Sequence, residues 1–353
     1  MKRHLVYLSM FLMSVLFVAC GNGKKKSMFT PTSSGRAYEV LVVIDLDMWE
    51  RPAGRALFDV LDSDVPGLPQ SERSFRIMYT DPSNYDATLK IIRNIIVVEV
   101  NKDLYTQPKL KSAQNVYAAP QSILTIQAPD EKTFGEFVTK NKQVIIDYFT
   151  HAEMNRQIFA LETNHSDYVT TKVKSMFDCD VWVPGELTAT KQGENFFWAG
   201  TNAATGDQNF VIYTYPYTDK NTFTKEYFVH KRDSVMKINI PGAREGMYMM
   251  TDSLMTDVRP ISVQGEYALE VRGLWRIKGD FMGGPFVSHV RLDRANQQIV
   301  VSEIFVYSPD KMKRNLVRQM EASLYTLKLP NSRQVVVTTP AIVISNDSTT
   351  NKK

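Results

Sequence analysis

The sequence predicts an α+β fold of two mixed halves, built on antiparallel sheets with helices packed on one face. A lipoprotein signal peptide and a flexible tether precede them. Three observations predict this. At 353 residues, with 43 % hydrophobic and 23 % charged content, the chain is long enough for two cores and too apolar for global disorder. No repeat of roughly 20–50 residues is visible, which excludes a solenoid or propeller. Short β-branched runs and amphipathic helical stretches follow one another in both halves. The expected divisions are a signal peptide over 1–19, Cys20 and a tether over 20–36, a first half over 37–176, a second over 177–330, and a mostly polar tail over 331–353.

Lys2, Arg3 and His4 precede an apolar run from Leu5 to Val18. That run would be roughly 21 Å long as a helix, too short to span a bilayer comfortably. It ends in Leu16-Phe17-Val18-Ala19-Cys20, a short apolar stretch closed by small residues, as at a secretory cleavage site. The Val18-Ala19-Cys20 end resembles a bacterial lipobox, in which the cysteine thiol receives a diacylglycerol and becomes the mature N-terminus. Phe17 departs from the usual leucine. A signal peptide with a chance cysteine and an uncleaved anchor remain as alternatives. Several acyl chains would hold the protein stably, each buried methylene contributing about 0.8 kcal/mol. Gly21 to Ser34 reads as a tether carrying Lys24, Lys25 and Lys26. Lysines rather than acidic residues after the cysteine favour a protein facing the periplasm.

The first half opens with a strand over Ala37 to Asp45, apolar on both faces as for a buried position. A short helix over Gly54 to Leu61 and strands over Phe75 to Tyr79, Ile91 to Val100 and Gln121 to Gln127 follow. Pro129, Asp130 and Glu131 start a long helix that runs to about Leu161, and a second runs from Ser166 to Met176. In the second half, Phe177 to Val183, Phe196 to Ala199 and Phe210 to Tyr215 read as strands, and Thr222 to Met236 as a helix. Strands over Gly246 to Met250, Tyr267 to Lys278, Pro285 to Leu292 and Gln298 to Tyr307 come next. Between Tyr267 and Lys278, Tyr267, Leu269, Val271, Trp275 and Ile277 share a packed face, and Glu270, Arg272, Arg276 and Lys278 a wet one. Ser308 caps a final helix with Pro309 in its first turn, and Lys311, Lys313, Arg314 and Arg318 lie on its solvated side. Beyond Pro330 only Val335 to Val337 and Ala341 to Ile344 read as ordered.

The formal charge of +4 drops to +2 once Lys2 and Arg3 leave with the signal peptide, too near balance for a nucleic-acid partner. Two cysteines exclude a disulfide framework and a Cys-rich zinc module. Asp45 and Asp47, at the end of the first strand, are weak metal candidates. A phosphatase pattern would continue with a small hydroxyl residue, where Met48-Trp49-Glu50 stand, so a helix-capping turn is the better reading. His151, His165, His230 and His289 have no partner at ligand spacing, so no metal and no cofactor is expected. G-x-S-x-G, P-loop and G-x-G-x-x-G signatures are all absent. Cys179 reads as a buried structural thiol.

The most distinctive segment joins Arg272-Gly273-Leu274-Trp275 to Gly279 through Phe286. A hairpin with positive φ at Gly283 and Gly284 is the plain reading. The functional reading makes Arg272, Trp275, Phe281, Met282, Gly283, Gly284, Pro285 and Phe286 an apolar binding surface rimmed by cations.

Leu68-Pro69-Gln70, Arg93-Asn94-Ile95, Pro120-Gln121, Arg232-Asp233-Ser234 and Tyr248-Met249 complete a pattern with this segment, Phe305 to Pro309 and Lys313-Arg314. Over roughly 36–328 it resembles an uncharacterised family of envelope lipoproteins of Gram-negative bacteria, a domain of unknown function. That resemblance implies a lipid-anchored envelope protein and no catalytic residue. The leading expectation is therefore an outer-membrane lipoprotein facing the periplasm, a non-enzymatic module that binds an envelope protein or glycan. The alternatives are a hydrolase or transferase acting on cell-wall or glycan material, and a small-ligand carrier with its pocket between the halves.

Overall fold

The computed structural model describes residues 30–204 and 206–330. The signal peptide, Cys20, the tether up to residue 29, and the tail with Val335 to Val337 and Ala341 to Ile344 lie outside the described residues. The first unit runs β1 (Glu39–Val43), α1 (Leu46–Glu50), α2 (Pro52–Leu61), β2 (Arg76–Thr80), α3 (Ala87–Lys90), β3 (Asn94–Val100), β4 (Lys109–Gln114), β5 (Ser122–Ala128), α4 (Glu131–Lys140) and α5 (Lys142–Thr163). Its strands lie in the order β2-β1-β3-β5-β4, all parallel except β4. The α+β class stands, but this sheet is mixed rather than antiparallel, and it is covered on both faces. Val40, Val42 and Ile44 pack beneath α2, α4 and α5, while Leu41 and Val43 pack beneath Tyr85 and Leu89. A strand apolar on both faces belongs in a covered parallel sheet, reached through helical crossovers such as α1–α2 and α3.

The second unit runs α6 (Asp167–Phe177), β6 (Ala189–Gly193), β7 (Phe196–Gly200), β8 (Asp207–Pro216), α7 (Lys225–Asn239), β9 (Met249–Val263), β10 (Glu266–Ile277), β11 (Gly283–Asp293), β12 (Gln298–Tyr307) and α8 (Arg314–Thr326). Its sheet, in the order β6-β7-β8-β12-β11-β10-β9, is antiparallel throughout. It too is covered on both faces, with α6 and α8 on one side and α7 on the other. Val169, Val173 and Phe177 of α6 enter this second core, so α6 packs with the sheet that follows it. No helix among the described residues is long and apolar enough to cross a membrane.

Three sequence expectations change locally. The long helix divides at Asn141, which ends α4 by returning its backbone N–H to Phe137 and Thr139 and then opens α5. Residues 177–183 form no named strand; Asp180 makes only an isolated bridge to Lys328. The final helix starts at Arg314 rather than after Ser308, because its cap comes from the other unit. The Glu72 carboxylate accepts the backbone N–H groups of Lys313 at 2.6 Å and Arg314 at 2.8 Å. A carboxylate there satisfies orphan donors and meets the positive end of the helix dipole. The basic side of α8 is accordingly docked, not solvated. Arg318 donates to the Ser74 carbonyl at 2.8 Å and lies 4.2 Å from the Tyr38 ring, and Arg314 donates to the Arg73 carbonyl. Burial lowers the Arg318 pKa to about 10, so the group stays cationic at neutral pH.

Candidate functional site

The structure distributes the predicted binding surface over three environments. Trp275 and Phe286 are interior, at 3 % and 0 % exposure, and Gly284 and Pro285 are buried with them. Trp275 stands opposite Gly284 in the β10–β11 register and donates its indole N–H to the Val306 carbonyl at 3.3 Å. A Cβ on Gly284 would overlap that carbonyl, and one on Gly283 would come within 2.8 Å of the Trp275 carbonyl. Both glycines therefore serve close strand packing. The positive φ of the hairpin falls on Gly279, at +81°, which corrects the expectation for Gly283 and Gly284.

Beneath this layer, α7 is fastened by a buried ion pair. Arg232 donates from Nε and Nη2 to the Glu303 carboxylate at 2.9 and 2.7 Å, and from Nη1 to the Thr251 hydroxyl at 3.0 Å. Its guanidinium lies 4.2 Å from the centre of the Phe286 ring. Asp233 accepts both the N–H and the hydroxyl of Thr251, so Arg232 and Asp233 of the family pattern tie α7 to β9 and β12.

On the expected wet face of β10, Arg276 and Lys278 are exposed, while Glu270 and Arg272 belong to a second, largely buried charge network. Arg259, Glu270, His289 and Ser302 form one row across β9, β10, β11 and β12. Arg259 and Arg272 donate to the Glu270 carboxylate at 2.6 and 2.7 Å, and Arg272 also pairs with Glu321 of α8. His289 Nε2 stands 3.9 Å from Glu270, and its ring meets Tyr325 edge-on at 4.8 Å. The guanidiniums and the imidazole hold the Glu270 carboxyl well below the usual carboxylate range against the opposing effect of burial. Carboxylate, imidazole and hydroxyl in line resemble a proton relay, but Glu270, His289 and Ser302 are at most 1 % exposed. Those three are closed to substrate, Arg259 alone reaches solvent at the sheet's edge, and the network ties the sheet to α8 through Arg272 and Glu321.

Phe281 and Met282 reach solvent. Phe281 is fully exposed at the hairpin tip, where the Asp280 carboxylate accepts its N–H at 2.6 Å and that of Met282 at 3.2 Å. The edge strand β9 carries a similar device that the sequence reading missed. Between the pairs Arg272–Asp257 and Leu274–Asp252, Gly273 alone faces Ser253, Leu254, Met255 and Thr256, so this segment bulges outward. A Cβ on Gly273 would come within 2.5 Å of the Thr256 hydroxyl. Asp252 accepts the N–H groups of Leu254 and Met255 at 3.1 and 3.4 Å, and Leu254 is 92 % exposed. The shared signal is an aspartate followed within a few residues by large apolar side chains.

Asp45 accepts the Met48 N–H at 2.9 Å as the N-cap of α1, and its carboxylate lies 3.8 Å from Arg51. Among the described residues, no group of three or more His, Cys, Asp or Glu side chains is placed to hold a metal. Cys179 is buried, and desolvation pushes its thiol up to about 12. An open groove of about 580 Å³ runs between α2 and α4 of the first unit, bordered by Pro52, Ala56, Lys132 and Glu136.

The two units seen in the fold coincide with two family models. Residues 33–162 match a Domain of unknown function (DUF8532), and residues 166–326 match a Domain of unknown function (DUF4837). The chain thus carries two domains of unknown function in succession. The DUF4837 match begins at α6, in agreement with the packing of that helix, and contains both buried charge networks. No curated protein matches the chain.

Proposed function

We propose that the protein is a lipid-anchored lipoprotein of the bacterial envelope, held in the outer membrane through Cys20 and facing the periplasm, that binds an envelope protein through its second domain. The observation that carries this reading is the pair of aspartate-ordered projections, Leu254–Met255 on β9 and Phe281–Met282 at the β10–β11 tip. Each holds large apolar side chains in water on a backbone fixed by a carboxylate. Exposing such side chains is unfavourable for an isolated domain. A prearranged backbone also lowers the ordering cost of binding. The sealed state of Trp275 and Phe286 moves the proposed contact away from those residues and onto the tips.

In-cell crosslinking with mass spectrometry tests the reading, comparing the native chain with Phe281→Ala/Met282→Ala and Leu254→Ser/Met255→Ser variants. A specific envelope protein captured by the native chain and lost from either variant is the expected outcome. Capture that is unchanged in both variants would refute this surface. Mass analysis of the mature N-terminal peptide checks the anchor, with acyl chains expected on Cys20.

A further inference from the structure

We infer that one end of the first sheet, formed around Lys90, Val116 and Tyr117, rests on an anionic phospholipid surface. The inference rests on the proposed anchoring through Cys20. Nine residues separate Cys20 from Thr30, where the described structure begins, and the ten Cα-to-Cα steps between them span at most about 36 Å. The chain then enters at one end of the sheet. Thr32 bridges Ala119 and Ser34 bridges Ile92, each in parallel, beside the starts of β5 and β3. Ser34 N–H donates to the Ile91 carbonyl at 2.9 Å, and Ala119 N–H to the Pro31 carbonyl at 2.9 Å. An anchor on Cys20 therefore keeps this end of the sheet within about 36 Å of the bilayer.

The same end carries the side chains that a phospholipid surface accommodates. Val116 and Tyr117 are 51 % and 42 % exposed, on a loop that Gln121 makes rigid. Gln121, only 2 % exposed, accepts the Tyr117 N–H at 3.0 Å through its side-chain oxygen and donates to the Lys90 and Ile92 carbonyls at 2.6 and 2.8 Å. Lys90 Nζ lies 5.4 Å from the Tyr85 ring centre and 5.8 Å from that of Tyr117. Tyrosine beside lysine suits the headgroup layer: the ring and the alkyl stem take the apolar side while the hydroxyl and ammonium stay wet. Arg36 next to β1 adds positive charge, with Asp86, the N-cap of α3, the acidic neighbour.

The opposite end is built differently, with side chains of both charge signs, Lys102, Lys109 and Lys132 among them. Because β1, β2, β3 and β5 are parallel, their C-terminal ends lie together there, followed by Asp45, Asp81, Asn101 and Asp130. Each of these four uses its side chain to accept a backbone N–H of the turn or helix that follows. The sheet thus has exposed Val116 and Tyr117 beside Lys90 at the end where the chain enters, and polar capping side chains of mixed charge at the other.

Hydrogen exchange read by mass spectrometry tests this on the mature chain beginning at Cys20, coupled through that thiol to a maleimide lipid in vesicles. Cys179 is buried and does not compete. On vesicles containing phosphatidylglycerol, amides of 115–121 are expected to exchange at least threefold more slowly than in the uncoupled chain, and amides of 101–105 at an unchanged rate. Lys90→Glu and Val116→Ser/Tyr117→Ser, all at exposed or half-exposed positions, should each abolish the difference. Equal rates at both ends, or protection at 101–105, would overturn the inference. Chemical coupling makes this result independent of whether cells acylate Cys20, which the mass of the N-terminal peptide reports separately.

Discussion

The carboxylate of Glu72 caps a helix in the other domain, and removing it tests whether the two domains stabilise each other. Glu72 is 2 % exposed and accepts the N–H groups of Lys313 and Arg314 at 2.6 and 2.8 Å. Glu72→Ala leaves two amide donors at the start of a largely buried helix without a partner. Loss of a side-chain cap costs about 1 kcal/mol, and a buried donor left unsatisfied costs about 1–3 kcal/mol. Water entering the vacated space offsets part of this, so about 3 kcal/mol is expected in total. In a chain of this size that lowers Tm by about 4–5 °C. Glu72→Gln keeps one carbonyl oxygen and should lose about half as much. Urea titration and calorimetry of a soluble Cys20→Ser chain measure both, with far-UV circular dichroism reporting fraying of α8. A Glu72→Ala midpoint unchanged to within about 0.5 kcal/mol, well below the cap penalty, would refute the reasoning.

Further expectations concern the two charge networks and the glycine layer. Arg232→Met strands Glu303 as a buried, uncompensated charge and should cost about 3–5 kcal/mol in urea unfolding, whereas Arg232→Met/Glu303→Leu recovers most of the loss. Because Glu270 has its pKa lowered on folding, its stabilising contribution is complete above the ordinary carboxylate range near about 4.3 and is lost as pH falls through the depressed folded value. Glu270→Gln should therefore flatten the dependence of stability on pH below about 4, measured by urea titrations across that range. Gly284→Ala forces a Cβ into the Val306 carbonyl and should destabilise by about 1–3 kcal/mol, where an exposed Gly265→Ala control loses less despite its positive φ. With its thiol pushed up to about 12, Cys179 should resist iodoacetamide in the native state at neutral pH and react once urea unfolds the chain.

The elements that could be read in the sequence are those whose cause is local. The two-sided apolar run of β1, the Asp130 cap of α4 and the alternation of β10 are each set by neighbours within a few residues. Misreadings arose where a distant segment decides. The start of α8 depends on Glu72, 241 positions away, and the immersion of Glu270 and Arg272 depends on Glu321 and Arg259. Trp275 and Phe286 looked available because nothing local shows that α7 covers that face. For the candidate surface, the tip at Phe281 and Met282 was legible from its glycine-rich turn. Leu254 and Met255 were not, because their exposure follows from a register shift against Gly273.

That register shift also governs how a partner can approach. β9 lies at the border of its sheet, where an unpaired backbone invites another strand to add on. The outward fold at Ser253 to Thr256 interrupts the ladder, and Pro260 further along supplies no N–H. A guest strand would find no continuous track of donors and acceptors. The border is thereby guarded against chance self-association between copies, and any recognition there falls to side chains, whose identity can discriminate one guest from another.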